Sequence, residues 1–533
     1  MATHFDDAAR HLGTLSSRAY KDLLATPGTA FPPTVAAAVT AMAAEGPAAV
    51  AIKAEGRLPR DVAGLARAAD VALDGLPTAD LHVAGDLLAG WHDRAAEALA
   101  PILAAMRDEQ ARVPLGRALT AVDTLVDTLQ RAHVGLRVQT AGGLRRFETT
   151  IGDLLLLAHG ADARTELAAW AARLPDHDVR RQSPTAVTFA WDGEEVTLRV
   201  VDEEAIAGAL LHYTGSRGHL AQLTARARTR GLRLTPAGLE RDGGIRLATA
   251  SEAEIYGALD LPWIPAERRH GLDEIALAER GALGTPVALA DIQGDLHMHT
   301  HWSDGRDATE AVIQSARALG YRYMAITDHS PSARASRTLT IERLEEQARE
   351  IDALRPRYAD ITILHGCEVD ILEDGSLDLP DAVMARLDIV LASLHESHGH
   401  DGPRLTERYL RAMASPYINV ITHPANRAPG RTSGYPLDWD RFFAAARDTG
   451  TAVEIDGAPG HLDLDGHLAR HAVETGATVV IDSDGHFAER LGRQMRMGVG
   501  TAGRGGVEAR HVLNARGLDG VRAFIAGKRQ RVV

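Results

Sequence analysis

Nine residues in the C-terminal half of the chain carry the donor atoms that divalent cations take: His297, His299, Asp304, His329, Glu368, His395, His423, Asp484 and His486. Their spacing matters more than their number. His297 and His299 stand two apart in Gly294-Asp-Leu-His-Met-His-Thr-His-Trp-Ser-Asp304, so on a strand both rings leave the same face and can share one ion. A chain with 24 His in 533 residues should contain roughly one such pair by chance, so the pair counts only with partners. The partners follow apolar runs: His329 after Ala325-Ile-Thr-Asp328, Glu368 after Leu364, His395 after Leu394, His423 after Ile421-Thr422, and Asp484 with His486 after Ile481. Nitrogen and carboxylate donors without sulfur suit Zn, Mn or Fe.

The elements that must position these groups are legible as runs. From about 290 to 533, strand-like stretches at Asp295–His297, Tyr323–Thr327, Ile361–His365, Leu387–Leu394, Ile418–Thr422, Thr451–Ile455 and Thr478–Ile481 alternate with helical patterns. That alternation predicts a parallel sheet, most simply a (β/α)7 barrel, whose strand ends meet at one mouth. One helix is expected after Asp307-Ala-Thr-Glu310, a capping-box spacing, with Val312, Ala316 and Leu319 on its apolar face and Gly320 as its stop. Residues 131–285 have a mixed α+β texture. Val134–Gln139 alternates as a half-buried strand, Ile151–Leu157 reads as a buried one, and Ala186–Trp191 with Glu195–Val201 flank a hairpin turn at Asp192-Gly193. Leu283-Gly-Thr-Pro286 reads as a linker. Residues 1–130 are rich in Ala and Leu at helical spacing, as in Leu87, Leu88, Trp91, Ala95, Ala96 and Leu99, and predict a helical region.

Composition sets the outer bounds. Hydrophobic residues make up 45% and charged residues 24%, the balance of a globular multidomain protein. The formal charge is −14, which excludes a global basic field for holding long duplexes by counterion release and leaves room only for local nucleic-acid contacts. Lys21, Lys53 and Lys528 are the only lysines among 58 basic residues, a bias of composition more than of chemistry. Cys367 is the single cysteine, which excludes an intrachain disulfide and a cysteine metal cage, and its place beside Glu368 predicts a small apolar packing residue. No stretch approaches a membrane span and the N-terminus lacks a signal pattern, so a cytoplasmic protein without a membrane partner is expected.

The run of motifs resembles the PHP (polymerase and histidinol phosphatase) superfamily, whose nine metal-ligand positions are all filled here. The resemblance implies one ion held by His297, His299, Glu368 and Asp484, a second by Glu368, His395 and His423, and a third by Asp304, His329 and His486, two to three divalent ions in all. Such a set suits phosphoester hydrolysis: paired metals lower the pKa of a water and clamp phosphoryl oxygens, and no protein nucleophile is needed. His297, His299, Glu368 and Asp484 then form the catalytic core. Arg427, in His-Pro-Ala-Asn-Arg, is a candidate for neutralising the phosphate, or else a surface Arg paired with an acid. His301, His365, His398, His400, His461, His467 and His471 are given to loops, a strand or helix faces. His461 stands where the superfamily commonly has Arg, and Asp456 where it has Asn; both bear on substrate, not on metals.

Residues 131–290 resemble the palm and thumb of bacterial X-family DNA polymerases, which carry a PHP domain at the C-terminus. The matching pieces are Gly142-Gly-Leu-Arg-Arg-Phe-Glu-Thr-Thr-Ile-Gly-Asp153, Tyr213-Thr-Gly-Ser-Arg-Gly-His219 and Glu254-Ile-Tyr-Gly-Ala-Leu-Asp-Leu-Pro-Trp-Ile-Pro265. The resemblance implies a palm that has lost its chemistry. Of the three carboxylates that hold two magnesium ions in that family, only Asp153 remains; Leu155 and Thr197 fill the other positions, and Gly143 replaces a phosphate-binding Ser. Residues 1–130 become a degenerate, fingers-like region, without the Gly-x-Gly hairpins that grip DNA phosphates.

The expected function is metal-dependent phosphoester hydrolysis by the barrel, as a 3′–5′ exonuclease or DNA-end processing activity in repair. A second reading is a phosphomonoesterase acting on a nucleotide or small phosphorylated metabolite, and a third an active polymerase. From another class, a DNA-end binding scaffold with both sites dispensable would be expected to lose barrel ligands as the palm lost its own, and the nine are intact.

Overall fold

The computed structural model describes residues 112–533 apart from 133, 134, 176, 177, 242, 334, 532 and 533. The helical expectation for residues 1–130 lies outside the described residues, except for the helix Leu115–Ala132. Residues Val113–Val533 form one compact unit. Among the described residues no helix is long and apolar enough to cross a membrane.

The first part of this unit is a five-stranded sheet of order β2-β4-β7-β6-β5: β2 (Arg137–Thr140), β4 (Leu154–His159), β7 (Glu194–Val200), β6 (Ala186–Trp191) and β5 (Val179–Ser183). The hairpin expected at Asp192-Gly193 forms, with Trp191 opposite Glu194. The run Ile151–Leu157 divides into β3 (Thr150–Ile151), which pairs with β1 (Val113–Pro114), and β4. The expected strand from Val134 begins only at Arg137. One sheet face buries Leu154, Leu156, Val187, Phe189, Val196 and Leu198 against Leu115, Leu119, Val122 and Leu125 of the helix Leu115–Ala132. That helix therefore completes the core of the expected palm.

Beyond it come the helices Ile206–Thr214 and Arg217–Thr229, the hairpin of β8 (Leu232–Thr235) and β9 (Gly238–Arg241), and the helix Glu252–Ala258. A buried ionic joint ties this segment to the sheet. Glu252 accepts from Arg145 at 2.7 and 2.9 Å and from Arg269 at 2.7 Å.

The C-terminal part is the expected barrel. Its seven strands, β10 (Gly294–Asp295), β11 (Tyr323–Ile326), β12 (Thr362–Asp370), β13 (Ile389–Ser393), β14 (Val420–Ile421), β15 (Ala452–Asp456) and β16 (Val479–Asp482), are all parallel and ordered as in the chain. Each predicted run overlaps one of them. A bridge between Met298 and Gly485 brings the two ends of the sheet together. The strands read as unbroken apolar runs because both faces are buried. Leu364, Leu391, Val420 and Val480 point inward, while Ile363, Val390, Ile421 and Ile481 pack under the helices.

Two local expectations are corrected. The run ending at His365 continues through Glu368 to Asp370, because β12 pairs β11 with its first half and β13 with its second. The capping box at Asp307 does not form: Ala308 occupies the N-cap of the helix Thr309–Ala318, Asp307 accepts instead from the Ala488 N–H at 2.8 Å, and Leu319 is 42% exposed.

The barrel helix Leu491–Gly505 docks on the palm. Arg496 donates to both carboxylate oxygens of Asp123 at 2.8 and 2.9 Å, Arg493 to Thr120 at 3.2 Å, and Arg504 to the Arg146 carbonyl at 2.8 Å. Gly500 makes the approach possible, since a Cβ there would lie 2.1 Å from the Phe147 ring. Met497 enters the palm cluster itself.

The Glu252 joint yields a pH test. Burial raises the Glu252 pKa, but Arg145 and Arg269 outweigh it and hold it at about 2 against an ordinary 4.5. A depressed carboxylate stabilises fully above its unfolded pKa and loses that contribution as pH falls through the folded one, so stability should drop between pH 4.5 and 2. Glu252→Gln should lower the unfolding free energy at pH 7 by about 3 kcal/mol and flatten this acid limb, measured by urea unfolding across pH. An unchanged limb would show that the joint contributes nothing.

Candidate metal centre

The strand ends deliver all nine predicted donors to one mouth. His299, Asp304, His329 and His486 form one group with donor atoms within 4.8 Å of one another, His297, His299 and Asp484 a second, and His329, Glu368 and His395 a third. His423 joins through Glu368, its Nε2 2.9 Å from Oε1. Glu368 is the hub. Its Oε2 lies 2.9 Å from His329 Nδ1, 3.4 Å from His297 Nε2 and 3.6 Å from His299 Nε2, and its Oε1 is 3.7 Å from His395 Nε2. Asp484 Oδ1 sits 3.1 Å from His299 Nε2, and Asp304 Oδ1 3.1 Å from His486 Nε2.

The backbone bends sharply to achieve this. His423 and Asp484 adopt φ of 25° and 48°, a left-handed region that costs a non-glycine residue on the order of 1–3 kcal/mol and that recurs at functional sites. Asp328 secures the loop carrying His299 and Asp304. One of its oxygens accepts from the N–H of Thr300 and of Ser303, and the other from the Thr300 hydroxyl and Gln347.

The donor set fits metal ions on its own geometry. His329 Nδ1 and Glu368 Oε2 are buried only 2.9 Å apart, and His299 Nδ1 and His423 Nδ1 are buried without hydrogen-bond partners. The Nε2 atoms of His297 and His299 face each other at 3.0 Å. Lone pairs that converge unsatisfied in a buried site are a cation's first shell.

Charges agree. Burial pulls the His329 imidazole down, but Glu368 and Asp304 outweigh it and hold its pKa at about 10; burial likewise opposes, and Asp484 and Asp304 win, at His486, held at about 9. Asp304 and Asp484 stay far below the usual carboxylate range, because their histidine neighbours outweigh burial. His299 is the exception: burial and the nearby His486 and His329 push it down to about 4. A divalent ion would stand where these protons otherwise balance the acids.

Two carboxylates that the sequence reading passed over orient the ligands. Glu454, on β15, accepts from His297 Nδ1 at 2.7 Å and from the His423 N–H at 2.7 Å. Asp370, at the end of β12, accepts from His395 Nδ1 at 2.5 Å. Each fixes the tautomer that turns Nε2 toward the cluster. Their signal in the sequence was only a carboxylate inside an apolar run.

Arg427 Nη1 donates to the Leu462 carbonyl at 3.4 Å and lies 3.3 Å from Asp465. Cys367 packs in the apolar shell, and burial pushes its thiol well up. His461, at the position where the superfamily commonly has Arg, stacks on His423 with ring centroids 4.9 Å apart. In the palm, Leu155 and Thr197 stand opposite each other on β4 and β7; the Thr197 hydroxyl meets Thr188 at 2.9 Å, Leu155 packs against Leu157, Ala209 and Leu210, and Asp153 is exposed.

Comparison with known proteins places this architecture. The PHP domain model matches residues 295–431, and the DNA polymerase beta thumb model residues 209–270. A probable phosphatase of Thermoanaerobacter sp. (strain X514) is 29% identical over 211 residues, 37% of this chain and 81% of that protein. A probable phosphatase of Shewanella sp. (strain ANA-3) is 33% identical over 209 residues, 37% of this chain and 78% of that protein. The DNA polymerase/3′-5′ exonuclease PolX of Bacillus subtilis (strain 168) is 36% identical over 446 residues, 82% of this chain and 77% of that protein. With a relative 36% identical over 82% of the chain, and the thumb and PHP models both matched, the chain belongs to the PolX family and is, through its PHP barrel, a metal-dependent phosphoesterase.

Proposed function

We propose that the barrel hydrolyses phosphodiester bonds at DNA ends, as a 3′–5′ exonuclease or end-processing enzyme of DNA repair in the cytoplasm. The observation that carries this reading is the convergence of nine donor groups, several of them buried and without hydrogen-bond partners, at the mouth of one barrel. The similarity to a protein named for 3′-5′ exonuclease activity runs through palm and thumb as well as barrel, which favours a nucleic-acid substrate. The chain would then divide into an N-terminal region over 1–130, palm and thumb over 131–285 and the barrel over 290–533, with the helix Leu115–Ala132 serving the palm.

His297, His299, Glu368 and Asp484 would hold one ion, Glu368, His395 and His423 a second, and Asp304, His329 and His486 a third, of the Zn, Mn or Fe class. Bound there, the ions would lower the pKa of a water and offset charge on the phosphoryl oxygens. Glu454 and Asp370 keep the His297 and His395 rings aimed, and the deep burial of Glu368 keeps bulk water from competing for it. Arg427 lies outside this set, its charge offset by Asp465. The palm supplies no second active centre, since Asp153 alone cannot balance two magnesium ions. A second reading, hydrolysis of phosphomonoesters of nucleotides or small metabolites, is favoured by the probable phosphatases that share the barrel alone.

Protein purified without chelator should contain about two to three equivalents of transition metal by elemental analysis, and Glu368→Ala should lose more than one, because its carboxylate lies between sites. Well-folded protein with less than about one equivalent would rule out the multinuclear centre.

Loaded with Mn or Zn, the protein should shorten a 3′-labelled single strand more efficiently than it releases phosphate from a panel of monoesters. His299→Ala should abolish this activity, and Asp370→Ala should lower it about 10- to 100-fold. Preference for the monoesters would select the second reading, and activity surviving His299→Ala would place the chemistry elsewhere.

On a gapped primer-template with Mg or Mn, no nucleotide incorporation is expected, and Asp153→Ala should change nothing. Template-directed extension that Asp153→Ala abolishes would overturn the inactive palm.

A further inference from the structure

The helix Ile341–Leu354 comes after the strand end that carries His329, and polar side chains on one of its faces reach for the loop that carries Asp304. Arg343, Gln347 and Glu350 stand four and three residues apart, the spacing that lines side chains along a single helix face. Arg343 donates to the Trp302 carbonyl at 3.1 Å and lies 5.4 Å over the indole. Glu350 accepts from the Thr309 hydroxyl at 2.9 Å and from Trp302 Nε1.

Gln347, between them, is fully buried and reaches further in. Its Nε2 donates to Asp328 Oδ2 at 2.6 Å. The other donors to that carboxylate come from the loop itself: the N–H and hydroxyl of Thr300 and the N–H and hydroxyl of Ser303. Among the described residues, Gln347 is therefore the one donor that ties this joint to the shell of the barrel. Each anchor adjoins a ligand, since Thr300 follows His299, Ser303 precedes Asp304 and Asp328 precedes His329. The loop is also tightly folded back, for a Cβ at Gly305 would lie 2.5 Å from the Thr300 nitrogen.

One more group completes the string. A carboxylate only accepts, so the Gln347 amide must turn its NH2 toward Asp328 and its oxygen away. That oxygen meets His365 Nε2 at 3.1 Å, which therefore carries the ring proton. Burial pushes the His365 pKa down to about 4, so the ring is neutral near pH 7 and gives its single N–H to Gln347. An amide turned end for end would set oxygen against oxygen at Asp328, and the imidazole donor at His365 forbids it.

We infer that Gln347 is a positioning residue of the metal centre: through Asp328 it holds Asp304 and His329 in place for the ion assigned to Asp304, His329 and His486, and His365 sets which end of the amide it presents. This rests on the multinuclear phosphoesterase reading above. Glu454 and Asp370 aim rings assigned to the other two ions, and Gln347 has the corresponding task for the third.

The test titrates chelator-treated, full-length protein with Mn and follows both bound ion and hydrolysis of bis(p-nitrophenyl) phosphate. Gln347→Leu, which removes the polar end but keeps much of the volume, should weaken one equivalent by about 10- to 100-fold and leave the others at parental affinity. Gln347→Glu, which keeps the shape but turns an oxygen on Asp328, should do the same. Activity should fall with the lost ion and return when Mn is raised by the same factor, a rescue that a folding defect does not show. His365→Leu should weaken the same equivalent, whereas His365→Gln, which keeps a donor at similar reach, should match the parent. The double variant Gln347→Leu with His365→Leu should be no worse than Gln347→Leu alone, because His365 acts through Gln347. Parental affinity at every equivalent in Gln347→Leu, or a uniform loss at all of them, overturns the inference. A parent that holds a single ion overturns the multinuclear assignment and the inference with it. A parent that binds its full set but cleaves no phosphoester overturns the hydrolytic reading instead, and the affinity pattern then still decides the role of Gln347.

Discussion

An ionised carboxylate with no solvent exposure is the constraint around which the barrel is built. Glu368 cannot sit at the centre of a protein unless charge or donors surround it, since an uncompensated buried ion costs several kcal/mol. Here four imidazoles, those of His297, His329, His395 and His423, approach its two oxygens from four other strand ends, with His299 close behind. To bring Glu368 to that point, β12 must run past its first neighbour and pair with the next, which gives the barrel its stagger. The strained turns at His423 and Asp484, and the carboxylates of Glu454 and Asp370 behind the rings, serve the same end. Stability is conceded at the mouth and recovered in the apolar layers beneath it.

Much of this was legible before any coordinates. The seven strands announced themselves because burial on both faces leaves no polar positions to blur the pattern, and the ligands did so because they stand where those runs stop. What stayed hidden depends on pairing across long distances. Nothing local says that β12 continues beyond Gly366, since a glycine in an apolar run reads as an end. Asp307 promised a cap and was drawn off by the Ala488 N–H, a contact 181 residues away in the chain. Glu454 and Asp370 looked like ordinary acids until the rings they hold were in place. Arg427, read from sequence alone as either a phosphate clamp or an ion-pair partner, comes to rest 3.3 Å from Asp465, a neighbour that no local pattern announces.

The upstream half meets the barrel through its own core. Leu155 and Thr197 stand opposite each other on β4 and β7, and Leu155 packs beside Leu157, Ala209 and Leu210. What that half retains is surface for the barrel: Asp123 for Arg496, Phe147 against Gly500, and an apolar core open to Met497 and Leu462.

The bridge between Met298 and Gly485 has a meaning for how the protein is made. Leu296 N–H meets Asp482 across 186 residues of chain, so the ring stays open until its last strand is in place, and that closure carries the loop entropy of the separation. His297 and His299 lie on one side of this seam, Asp484 and His486 on the other. An ion held by residues on both sides would bind the closed ring more tightly than the open one and so favour closure. Metal binding as proposed would then favour the closed barrel, and the same residues that serve hydrolysis would also bear on how long it lasts.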